Sequence, residues 1–184
     1  MSHDQFEVLS NQAVAVCAVA YFLAVLAHLV EWAVARSVPA TDHGAVDAGA
    51  ALVEGSSAGM RDTGVLERTD VDEARVERFG RIGVVLTVVA AGVHLVAVVA
   101  RGLAADPVRV PWGNMYEFTL TATLVVTAGY LALYRRYGLA WLSPIVTGFV
   151  LVTLMVDVLF LYDPVVALQD ALDSPWLVIH VIAA

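Results

Sequence analysis

Five ionisable side chains stand inside otherwise apolar stretches of this chain: His28, Glu31, His94, Asp157 and His180. An ionisable group in hydrocarbon costs about 2.5–3.5 kcal/mol even where it is tolerated, so each is a candidate for proton transfer, ion binding or metal ligation. Their spacing weighs them differently. Glu31 lies five residues from Arg36 and reads as an interfacial acid that reaches water or pairs with that arginine. His28 shares a helical face with Glu31 and Trp32, where a hydrogen bond to another helix is the ordinary role. His94 falls past the middle of its stretch and reads as a neutral packing histidine, while Asp157, about a turn from Tyr162, is expected to be solvated at its helix end. His180 has a different setting. It lies one turn inside a boundary marked by Asp173, Pro175 and Trp176, and helical spacing puts Trp176 and His180 on one face. An imidazole with an open outer side and an aromatic neighbour suits axial ligation of a flat, apolar metallocycle; an interfacial hydrogen-bonding role is the bland alternative.

The elements that must position these residues follow from composition. Of 184 residues, 60% are apolar and 15% charged, with mean hydropathy +0.78, which excludes an ordinary soluble domain. The apolar residues gather in blocks of roughly 20, the length that crosses a bilayer as a helix. The expected fold is therefore all-α: a polytopic membrane protein with four complete transmembrane helices and the start of a fifth. The expected segments are a tail over 1–12, helices over 13–35, 82–100, 116–134 and 139–161, and loops over 36–81, 101–115, 135–138 and 162–175. The last apolar run, 176–184, is too short to span, so the chain reads as the amino-terminal part of a longer protein. The 36–81 loop divides into an Ala/Gly/Ser/Asp-rich flexible linker and a short amphipathic helix over 69–81, with Asp70 and Glu73 at capping-box spacing.

A net charge of -8 argues against a nucleic-acid partner, and the lone Cys17 leaves no disulfide, redox pair or cysteine-based zinc site within the chain. Arginine supplies all of the positive charge, and it orients the helices. Residues 36–81 hold six arginines and the 135–138 turn two more, against two in 101–115 and none in 162–175. The positive-inside rule then puts the first pair of loops in the cytoplasm and the amino terminus, the 101–115 loop and the 162–175 loop outside.

The outward loop reads Arg109-Val110-Pro111-Trp112-Gly113-Asn114-Met115-Tyr116-Glu117-Phe118. Asn114 with Glu117 three residues on resembles a capping box, Pro111 fixes the approach to the helix, and Trp112 and Tyr116 fit an interfacial aromatic belt. Thr119, Thr123 and Thr127 make a small polar stripe suited to helix packing. That account explains a cap and aromatics but not why Asn, Met, Tyr and Glu occur together. The run Pro111 to Phe118, after a His-bearing helix ending in Arg101-Gly102, resembles the first outward loop of the cytochrome c synthase membrane subunit of the CcsA/ResC type, called CcsB in some bacteria. The later Ser174-Pro175-Trp176-Leu177-Val178-Ile179-His180-Val181 resembles the family's segment leading to its first external haem-ligand histidine. The resemblance covers the chain from about Val84 onward.

The resemblance implies a system II cytochrome c assembly protein of the cytoplasmic membrane that takes haem outward and presents it, as b-type haem, to the Cys-x-x-Cys-His thiols of an apocytochrome c. It implies His180 as an axial iron ligand, with Trp176, Trp112 and Tyr116 shaping the haem face, and a second, ResB-like membrane subunit as partner in the haem lyase complex. The family's tryptophan-rich loop, second external histidine and intramembrane histidine are not found in these residues and are expected downstream of Ala184. Nothing here supplies a catalytic base. Two other classes stay open: a small transporter or proton-conducting subunit with His28, Glu31, His94 and Asp157 along a polar path, and a purely structural membrane subunit.

Overall fold

The computed structural model describes residues 2–37 and 59–165 and, beyond them, 176, 179, 180 and 183, with the side chains of 37 and 59–72 excepted. Every regular element among the described residues is helical: α1 (His3–Ser37), α2 (Gly59–Ala104), α3 (Met115–Tyr137) and α4 (Ser143–Val156), the last preceded by a 3-10 turn, Leu139–Leu142, and followed by a π turn, Asp157–Leu161. Four segments, His3–Arg36, Glu73–Ala104, Met115–Tyr137 and Leu139–Leu161, are long and apolar enough to cross a membrane. This is a multi-pass helical membrane protein.

The helix ends show why the elements begin and stop where they do. The 1–12 segment, expected as a tail, is helical from His3, because Ser2 and Gln5 form a reciprocal cap: the Ser2 amide donates to Gln5 Oε1 at 3.0 Å and the Gln5 amide to Ser2 Oγ at 3.4 Å. The second difference is larger. The expected amphipathic helix and second span are one continuous α2, with neither proline nor turn between 59 and 82. At ~1.5 Å per residue its 46 residues reach about 69 Å, so its first turns extend well past a ~30 Å hydrocarbon layer. The linker expected before it falls on 38–58, outside the described residues. Asn114 caps α3 by accepting from the Glu117 amide at 2.8 Å, and Gly138 ends it at φ 62°, a left-handed conformation suited to glycine. The expected four-residue turn after α3 thus contracts to Gly138, and the arginine pair sits in the last helical turn. Pro144 occupies the first turn of α4, where its missing N–H costs nothing.

The packing is that of a bundle in lipid. Large apolar side chains such as Phe22, Val85, Val125, Phe149 and Phe160 point outward, while the buried faces carry small and polar residues. Cys17, Tyr21, Ala24 and His28 of α1 meet Thr87, Ala90, His94, Ala97 and Arg101 of α2, with Thr123 and Thr127 of α3 and Thr147 and Val150 of α4 closing the interior. Lipid gives helices no hydrophobic reason to associate, so close approach at small residues and hydrogen bonds between spans hold them together. Ser10 Oγ, for example, donates to the Ala97 carbonyl at 2.8 Å, joining α1 to α2.

Candidate functional site

The buried polar residues fall at three levels of the bundle. At the end formed by the Ser37 side of α1 and the start of the second span, His28 Nδ1 lies 3.0 Å from Glu31 Oε2. Glu31 therefore pairs within its own helix rather than with Arg36, whose guanidinium stacks over Trp32 at 4.9 Å. His28 likewise bonds along α1 and not across to another helix, because Gly83 of α2 sits directly against its ring and presents no side chain to bond. In the middle, His94 is buried and joins three helices: Nε2 is 2.9 Å from the Leu120 carbonyl of α3, which makes it the donor, and Nδ1 is 3.4 Å from the Tyr21 hydroxyl of α1. The single Tyr21 hydroxyl proton goes to Thr127 Oγ1 at 3.2 Å, because Thr127 spends its own proton on the Thr123 carbonyl. His94 is thus tied to α3 through Nε2, while Nδ1 stands beside the phenol oxygen of α1.

The third level, at the end carrying the 105–114 loop, is the densest. Arg101, in the last turn of α2, is fully buried. Its Nη2 donates to the Asp163 carbonyl, Nη1 stands 3.6 Å from Glu7 Oε1 of α1, and Nε stands 3.5 Å from Glu117 Oε1 of α3. Its guanidinium lies 4.8 Å above the Tyr116 ring, and Tyr116 meets Tyr162 edge to face at 5.4 Å. The cation thus fastens α1, α2, α3 and the segment after α4 to one another.

Glu117, 1% exposed, is the counterpart. Its Oε2 accepts from Arg109 Nη1 at 2.9 Å and from the Gly113 amide at 2.8 Å. The expected capping box is therefore half formed: Asn114 caps as read, but the reciprocal bond goes one residue earlier, to Gly113, because the carboxylate is drawn toward two arginines. The loop is folded tightly onto this point. A Cβ on Gly102 would come within 2.7 Å of the Arg109 carbonyl oxygen, and one on Gly113 would collide with the Arg109 guanidinium. Two further expectations change here. Tyr116, read as part of an interfacial belt, is 1% exposed beneath Arg101, since its phenol face offers the buried cation a π surface. Asp157, expected to be solvated, is fully buried, with both carboxylate oxygens lacking a hydrogen-bond partner, because it opens the π turn on the inward side of the fourth span.

Of the four residues the resemblance singled out, Tyr116 is an interior support of this cluster and Trp112 is half-buried in the loop, its amide donating to the Val110 carbonyl at 2.9 Å. Trp176 and His180 are helical and exposed. A single exposed imidazole with an exposed indole fits one axial position and one apolar face of a haem. Among the described residues no three His, Cys, Asp or Glu side chains come together as a metal cage. Sequence reading missed Arg101, Arg109, Glu7 and Asp163 as partners. The available signal was Arg101 itself, a lone cation between a long apolar run and a loop with a second arginine eight residues on. No protein-family model, curated protein or solved structure matches the chain.

Proposed function

We propose that this chain belongs to a haem-handling membrane subunit for c-type cytochrome maturation, lying in the cytoplasmic membrane with its amino terminus outside. One observation carries the reading. The loop that resembles the family's outward motif and the segment that leaves α4 toward Trp176 and His180 are fastened at the same end of the bundle, through Arg101 to the Asp163 carbonyl and through Glu7, which accepts from the Val165 amide at 3.3 Å. A rigid outer end of this kind is what holding a large planar cofactor for an external partner requires, since a ligand on a loosely held loop would be poorly positioned. In this reading the neutral His180 imidazole ligates haem iron from one side, Trp176 covers part of the macrocycle, Trp112 and Tyr116 support the loop beside it, and a ResB-like subunit and an apocytochrome c complete the assembly. Haem supplies the reactive vinyl groups; these residues bind and orient.

The test is haem absorbance of the full-length protein co-purified with its partner subunit. His180→Ala should abolish the bound-haem spectrum and cytochrome c maturation while leaving membrane insertion intact, and His180→Gly with added imidazole should restore part of the spectrum. An unchanged spectrum with normal maturation in His180→Ala would overturn the ligand assignment. The rival reading of a proton-conducting subunit gains support from the inward placement of His28, His94 and Asp157, but His94 is buried and tied through Nε2 to a backbone carbonyl of the neighbouring helix, which suits a brace better than a relay.

A further inference from the structure

Between α1 and the end of the fourth span lies a groove of about 570 Å³. Its walls are Val14, Ala15 and Ala18 of α1 and Met155 and Val158 of the fourth span, and the small side chains of the two alanines leave it open. Asn11 and Tyr162 close it at the end of the bundle that carries the 105–114 loop, where Asn11 Nδ2 donates to the Tyr162 hydroxyl oxygen at 3.1 Å. Tyr162 accepts there, so its own proton remains to be given to an acceptor at the mouth of the groove.

Above that mouth the surface is acidic. Glu7 lies one turn and Asp4 two turns before Asn11, at the spacings that keep residues on one helix face, so the face of α1 that lines the groove carries both carboxylates beyond it. Asp4 is exposed, Glu7 is 25% exposed, and exposed Asp163 follows Tyr162 directly. The neighbouring cations do little to offset them, because Arg101 is buried and both it and Arg109 are drawn to buried Glu117.

The geometry points to a binding site for a diacyl phospholipid with a primary ammonium head group, of the phosphatidylethanolamine kind. One acyl chain lies in the groove between α1 and the fourth span, an ester carbonyl accepts the Tyr162 proton, and the ammonium faces Asp4 and Glu7. In a bilayer any apolar chain can fill a groove of this kind, so selectivity comes from its mouth. An ethanolamine ammonium has three N–H donors for carboxylates, whereas a choline head has none, and a glycerol head adds no positive charge to offset its phosphate. The acidic mouth therefore ranks the three head groups, with ethanolamine first and the anionic glycerol head last. An apolar helix laid in the same groove would leave both the Tyr162 proton and the carboxylates unanswered.

The measurement is the lipid retained by the full-length protein. Reconstituted in nanodiscs of equal POPE, POPC and POPG and then taken into mild detergent, it should keep POPE several-fold over either other lipid, counted by native mass spectrometry. Ala15→Phe and Ala18→Phe, which fill the groove from its lipid-facing side, should bring POPE down to the level of POPC. Val125→Phe, on a lipid-facing position of α3, is the control and should leave the ratio unchanged. Asp4→Asn, at an exposed position that folding does not depend on, should narrow the preference for POPE over POPC without reducing total lipid, and Tyr162→Phe should lower retention of all three. Equal retention of the three lipids by the parent overturns the inference, as does a POPE preference that survives both Ala15→Phe and Asp4→Asn. Unchanged lipid in Ala15→Phe together with loss of a partner subunit also overturns it, and makes the groove a helix-docking face. No haem enters this measurement, so its failure leaves the haem reading intact.

Discussion

Gly83 of α2 faces the His28 imidazole of α1 so closely that a Cβ there would stand 2.5 Å from the ring carbon Cε1 and 2.6 Å from Nδ1. The glycine is a socket for a buried histidine, and the two helices reach their present separation only because it has no side chain. Gly83→Ala should therefore destabilise the bundle by about 1–3 kcal/mol, the range for overpacking a filled interior. Gly92→Ala, where nothing lies within 4 Å, is the matched control and should be neutral or slightly stabilising. Thermal unfolding in detergent checks both. Adding His28→Ala to Gly83→Ala should recover part of the loss, since the two changes share one contact.

A Cβ on Gly80, one turn earlier, would stand 2.6 Å from Glu31 Oε1. Glu31 is 14% exposed and its side chain can swing outward. Gly80→Ala should accordingly cost less than Gly83→Ala. A larger loss at Gly80, measured in the same melts, would mean that the His28–Glu31 pair is held more rigidly than its partial exposure implies.

These pairings explain how far the sequence could be read. The spans were legible because lipid demands long apolar runs, and the Asn114 cap because capping is local. Neither His28 with Gly83 nor Arg101 with Glu117 was legible, since the partners lie on different helices and no local rule joins them. Asp157 was misread for the same reason. Its distance from the helix end is visible in the chain, but the direction its side chain takes depends on how the fourth span packs.

Gly138 holds φ at 62°, and α3 turns into the fourth span through it. Gly138→Ala should cost about 1–2 kcal/mol, the penalty for an L-residue in the left-handed region, and Gly138→Asn less, because its short polar side chain tolerates that conformation. Because a Cβ at this position would meet nothing within 4 Å, the effect is one of backbone and not of crowding. Comparable losses in the two variants' melting curves would contradict this.

His94→Ala removes the ring that joins Leu120 to Tyr21, and both are left inside the bundle. The change should lower thermal stability by about 1–3 kcal/mol, as expected when buried polar groups lose their partner. Haem bound to the full-length protein, per folded molecule, should be unaltered. A selective loss of haem with normal stability would reassign His94 from brace to ligand.

Arg101 offers the clearest separation of charge from shape. Arg101→Met keeps much of the apolar volume over Tyr116 but strips the cation from between Glu7 and Glu117, and breaking a buried pair in this way typically costs about 3–5 kcal/mol. Glu117 would still hold Arg109 and the Gly113 amide, so α3 should keep its start, while the Asp163 carbonyl and Glu7 lose their common partner. The loss should thus be concentrated where the segment after α4 joins the bundle. Hydrogen exchange would show it as faster exchange at the Val165 amide with little change at Glu117. Glu117→Gln inverts the pattern: the amide oxygen can still accept from Gly113 and Arg101 keeps Glu7, but the charged bond from Arg109 is weakened, so the 109–113 loop should loosen first. Should the two variants loosen the same amides to the same degree, the end of the bundle carrying the 105–114 loop would be a single cooperative unit and not two joints meeting at one ion pair.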